Sequence, residues 1–125
     1  ESLKTFLPMC EARGIGIVLG GVFNSGILAT GAVKGAMFDY YPAQPDVLER
    51  VRRIEAVVRR HGLKLADAAL RFPMGHPAVA CMMTGGAARR EVEQAVTSLR
   101  ADVPDALWCD LAAEKLIVSE ARLGL

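Results

Sequence analysis

The sequence offers little for covalent or metal cross-linking. It holds three cysteines, Cys10, Cys81 and Cys109, odd in number, widely spaced and without a CxxC pair. A disulfide framework or zinc site is therefore not expected, and a reducing compartment, the cytoplasm, fits best. Long apolar runs are missing as well. Arg13, Lys34, Asp39 and Asp46 interrupt the longest stretch short of the ~20 residues that span a bilayer. No signal-peptide pattern opens the sequence. Nor does one sign of charge dominate: fifteen basic and fourteen acidic residues leave a formal charge of +1. No long-range field draws nucleic acid or an anionic membrane. Neither a G-x-G-x-x-G followed by an acidic residue nor a G-x-x-x-x-G-K-[ST] loop occurs, which removes a Rossmann or P-loop site. There is no Ser/His/Asp set, no paired-carboxylate set, no histidine-rich ligand set and no fixed-period repeat.

What is present suits one domain. The 125 residues are 52% apolar and 23% charged, too apolar for disorder. Leu3, Phe6, Leu7 and Cys10 have helical spacing, with Gly14 as the cap and Pro8 required near the helix start. Ile15 to Leu19, IGIVL, is apolar without alternation and predicts a strand buried on both faces. Residues 20–45 read as one long glycine-rich loop, a length that is often functional. Pro45 opens the clearest helix, whose stripe is Val47, Leu48, Val51, Ile54, Val57 and Val58. Arg52, Arg53, Arg59 and Arg60 read as its solvated face, His61 as a C-terminal cation and Gly62 as its cap. A second helix is expected from Leu65 to Phe72, ended by Pro73, and then a core strand from Val79 to Met83 that buries Cys81. The next helix is expected to bury Val92, Ala95, Val96 and Leu99, and Pro104 opens a last one carrying Leu107, Leu111 and Leu116. The order α-β-loop-α-α-β-α-α implies parallel strands joined by right-handed crossovers.

Two strand-to-loop junctions carry the candidate chemistry, Leu19 to Gly26 and Met83 to Glu91. Each sets glycines and small polar groups at the C-terminal end of a strand, and the second runs into a helix N-terminus, where free N–H groups and the helix dipole suit a phosphate. The plainer reading is a pair of ordinary turns needing positive φ. His76, between Gly75 and Pro77, reads as loop packing, and Cys109 beside Trp108 as structural. Tyr40 and Tyr41 could serve as general acids, but are expected to pack on a cofactor or a neighbouring loop.

At these junctions the chain resembles the aldo/keto reductases, in particular the sugar-oxidising branch of L-fucose and D-threo-aldose 1-dehydrogenases. The resemblance is carried by RGIGIVLGGVFNSGILATG, AMFDYYPAQPDVLERVRRIEAVVRRHG, AALRFPMGHPAVACMMTGG, EVEQAV and VPDALWCDL, in the family's order. It implies an α/β fold, the C-terminal part of a TIM (β/α)8 barrel, with the last two parallel strands at Gly16–Gly20 and Val79–Met83. It also implies a nicotinamide cofactor, NAD or NADP, and a sugar or aldehyde substrate. Gly21, Val22, Phe23, Asn24, Ser25, Gly26 and Leu28 would lie along the pyrophosphate and nicotinamide. Thr84, Gly85, Gly86, Arg89, Arg90 and Glu91 would hold the adenosine end. The family's catalytic Asp, Tyr, Lys and His lie on earlier strands, so none is expected here and no catalytic or metal-binding residue is assigned. Ala87 and Ala95 stand where the family commonly has polar contacts to the cofactor. Glu91 stands where some members place an Arg for the 2′-phosphate, so the resemblance favours NAD. The alternative is a non-catalytic barrel remnant that oligomerises, or pairs with a missing N-terminal segment, through open sheet edges. A third reading is a phospho-ligand binder using only Thr84 to Gly86.

Overall fold

The computed structural model describes residues 2–118. Helix α1 spans Phe6–Ala12 and strand β1 Ile17–Gly20. Helix α2 spans Ile27–Thr30, strand β2 Met37–Phe38 and strand β3 Tyr41–Pro42. Helices α3 and α4 run Pro45–Arg60 and Leu65–Met74, strand β4 Val79–Met83, and helices α5 and α6 Arg89–Leu99 and Asp105–Ala113.

β1 and β4 pair in parallel, with Gly20 level with Met83. The register shifts between Ile17 and Val18, whose partners are Val79 and Cys81, so Ala80 bulges out of the ladder. A side chain on Gly16 would stand 3.1 Å from the Ala80 Cβ, and its absence lets the bulge close in.

The core lies between the helices. Val57 and Val58 of α3, Ala68 of α4 and Leu107, Trp108 and Leu111 of α6 form one buried cluster, with Phe72 packed against it. The Phe72 and Trp108 rings are 5.7 Å apart and tilted by 51°. Ile27, Val51 and Leu65 form a second cluster. The α3 stripe and Pro45 at its first turn are as the sequence predicts. At the start of α4 the Asp67 carboxylate accepts the Lys64 N–H at 2.9 Å, which supplies one of the helix's orphan donors with a partner.

Several expectations are overturned. Residues 20–45 are not one loop. Gly26 and Gly31 flank α2, and β2 and β3 form a ribbon whose turn, Asp39 and Tyr40, has φ of 50° and 66°. Two successive positive φ values make a type I′ hairpin turn, whose twist matches the strands. The β1–β4 pair is covered on one face alone. Val18 is 65% exposed and Met83 67%, and Cys81 is exposed with them. The sheet is only two strands wide, and α4 packs against β4. Helix α5 packs on α4 with Ser98 buried and Ala95 half-buried, while Val92, Val96 and Leu99 remain exposed. Cys109 is exposed beside the buried Trp108. Helix α4 passes Pro73 and ends at Met74, because a proline in the last turn removes only one backbone donor.

Arg53 and Arg60 are not merely solvated. Arg53 donates to the Glu114 carbonyl at 3.2 Å, and Arg60 meets the Glu114 carboxylate at 2.6 Å. That hydrogen bond pushes the Arg60 pKa up, against the opposing effect of desolvation. Arg50 donates to the Leu116 carbonyl at 2.8 Å, and His61 Nε2 lies 2.8 Å from Asp110 Oδ2. Cations of α3 thus meet the C-terminal end of α6, where the helix dipole is negative. Leu107 is fully buried. Leu107→Ala is expected to cost about 2–5 kcal/mol, read as a lower urea midpoint at an unchanged slope.

Candidate functional site

Parallel strands that end level with one another deliver their following loops to the same edge. The loop after β1 and the loop after β4 therefore meet. Gly21, Val22, Phe23, Asn24, Ser25 and Gly26 from the first, with Met83, Thr84 and Gly85 from the second, line one cleft of about 230 Å³. A second hollow of about 340 Å³ continues from it, sharing Phe23, Gly26 and Gly85 and adding Arg90, Glu91 and Gln94 of α5.

The first loop turns through left-handed backbone. Gly21 has φ of 69°, Asn24 44°, Ser25 57° and Gly26 94°. Glycine adopts these values without strain, and asparagine tolerates them better than most residues. A Cβ at Gly21, Gly26 or Gly85 would meet nothing within 4 Å, so the cleft floor is open rather than packed. The N–H groups of Gly85 and Gly86 have no acceptor among the described residues. Open backbone with free donors, followed by the first turn of α5, fits an anionic group.

Two side chains of this loop fix the ribbon. Asn24 Oδ1 accepts the Asp39 N–H at 3.0 Å, and Ser25 Oγ accepts the Tyr40 N–H at 2.9 Å. The hairpin tip is thereby tied to the cleft wall. Tyr40 and Tyr41 themselves are 85% and 72% exposed. Sequence reasoning missed this lock, since neither Asn24–Ser25 nor Asp39–Tyr40 matches a common turn signal.

The predicted site residues do not all converge. Leu28 sits on α2, packed toward the Ile27, Val51 and Leu65 cluster and away from the cleft. Gly86 lies against α5, where an added Cβ would stand 3.0 Å from Val92. Arg89 points outward and pairs with Glu93 at 2.7 Å. Glu91 borders the second hollow, but its Oε2 accepts the Ala87 N–H at 2.8 Å, just ahead of the Ala88 that opens α5. Of the two histidines, His61 belongs to the α3–α6 seam and His76 is buried behind β4. Among the described residues no group of three His, Cys, Asp or Glu is placed to hold a metal ion. No described helix is long and apolar enough to cross a membrane. Replacing Asn24 with alanine is expected to raise amide exchange at Asp39 about tenfold, the loss of one hydrogen bond, while the amides of α3 keep their protection.

Comparison with known proteins places this architecture. The chain is 36% identical over 116 residues to pyridoxal 4-dehydrogenase of Microbacterium luteolum, covering 93% of this chain and 34% of that protein. It is 33% identical over 112 residues to D-threo-aldose 1-dehydrogenase of a Pseudomonas species, covering 89% of this chain and 34% of that protein. The chain thus spans about a third of the length of these relatives, and its mixed α/β fold with parallel strands corresponds to the C-terminal part of such a domain. The sequence profile of the aldo/keto reductase family matches residues 3–111, and the chain belongs to that family.

Proposed function

We propose that this chain supplies the dinucleotide-holding part of an NAD(P)-dependent oxidoreductase acting on sugars or aldehydes, in the manner of an aldose 1-dehydrogenase. The observation that carries the reading is the cleft itself. Two glycine-bearing loops, distant in sequence, meet over open floor with free N–H donors. Gly21 to Gly26 would border the pyrophosphate and nicotinamide, and Thr84, Gly85, Arg90 and Glu91 the adenosine end. A bound nicotinamide supplies the hydride acceptor or donor. The residues here bind and orient it, and none is assigned the proton transfer.

Glu91 sets the cofactor preference within this reading. Its Oε2 is held by Ala87 beside the hollow, leaving the other oxygen to accept a ribose hydroxyl and to repel a 2′-phosphate. Arg90 borders the same hollow and is the one cation placed to offset it among the described residues lining it. A cytoplasmic setting accords with the free cysteines.

A second reading has its own support. The uncovered sheet face with Val18 and Met83 suits a non-catalytic module that oligomerises through the sheet. A dimer by size exclusion that binds no nucleotide would favour it.

NAD is expected to bind more tightly than NADP, measured by calorimetry on the same chain; the reverse order removes the role given to Glu91. Gly85→Ala is expected to weaken NAD about tenfold, or ~1.4 kcal/mol, without moving the thermal midpoint, since its Cβ has room. Incubated with NAD and L-fucose, the chain is expected to show no sustained turnover. Turnover at ordinary enzyme rates would mean that it holds catalytic groups this reading leaves out.

A further inference from the structure

A second opening lies behind β1, between α1, α4 and α6. It has a volume of about 340 Å³, within the range of roughly 300–1,000 Å³ typical of small-molecule sites. Leu7, Leu19, Ala69, Phe72 and Trp108 form its wall, which is almost wholly carbon. It meets the dinucleotide cleft only at Gly21 and Val22, which border both.

The exception in that wall is His76, of which only 6% is exposed. Its Nδ1 accepts the Ala78 N–H at 3.2 Å, so the ring hydrogen sits on Nε2 and makes it a donor. Nε2 has no partner among the described residues. Among the described residues no enclosed side-chain nitrogen or oxygen lacks a partner, so Nε2 is not sealed off, and His76 is one of the residues that line this cavity. A water there would find one fixed partner, fewer than the about 2–4 that hold a buried water.

We infer that this cavity binds a small apolar molecule carrying a single hydrogen-bond acceptor, such as a medium-chain alcohol or ketone. The carbon wall takes the alkyl part by the hydrophobic effect, and the His76 Nε2–H takes the oxygen. The one polar contact fixes which end of the ligand enters, as in other largely apolar pockets. The inference concerns a different space from the dinucleotide cleft and holds whether or not that cleft binds a cofactor.

Trp108 is the only tryptophan in the sequence and stands in the wall, so its emission reports occupancy. Titration with n-octanol, without any nicotinamide cofactor, is expected to give a saturable change. His76→Leu is expected to weaken n-octanol about tenfold by leaving its hydroxyl unpaired, with n-octane unaffected, and His76→Gln to restore much of the loss through its amide donor. Ala69→Leu fills the cavity and is expected to abolish binding of both probes. The inference is overturned by the absence of saturable binding, by an equal loss of both probes in His76→Leu, or by unchanged n-octanol affinity in Ala69→Leu. Should His76→Leu fail to fold, the wild-type titration, His76→Gln and Ala69→Leu decide the question.

Discussion

The parallel pairing of Ile17–Gly20 with Val79–Met83 is the constraint on which the rest depends. Antiparallel strands would send their following loops to opposite edges, whereas parallel strands send both to one. The bulge at Ala80 completes the arrangement by bringing Gly20 level with Met83, so the two loops start from the same height. The α3–α4 crossover, tied to α6 by Arg50, Arg53, Arg60 and His61, returns the chain at the distance this pairing needs. The cleft is a product of the ladder and needs no long-range charge.

Elements that rest on local pattern were legible in the sequence. Pro45 and the six-residue stripe announced α3, Val79 to Met83 announced β4, and Leu107 and Leu111 proved fully or nearly fully buried. The two junctions were also legible, because glycines at strand ends leave a visible mark, and the structure brings most of their residues to one cleft. What sequence could not show depended on partners. IGIVL is apolar on both sides, yet only one side found a cover. The α5 stripe is apolar, but the helix buries Ser98 and leaves its valines exposed. The ribbon turn uses Asp39–Tyr40, and its stability comes from Asn24 and Ser25, about fifteen residues away.

Glu91 shows how one side chain can serve two ends. In the first turn of α5 its carboxylate accepts the N–H of Ala87, just ahead of the helix, and its charge suits the positive end of the dipole. The same charge reduces the attraction of that end for a free phosphate.

The ladder has a kinetic consequence as well. Its partners lie about 60 residues apart along the chain, while α3 and α4 are joined by a short turn. Loop-closure entropy favours the helical pair forming first and the strands zipping together afterwards. The cleft, built by the loops that leave those strands, then exists only once the slowest contact has closed. Its occupancy would report completed folding rather than helix content, which an incompletely folded chain would already display.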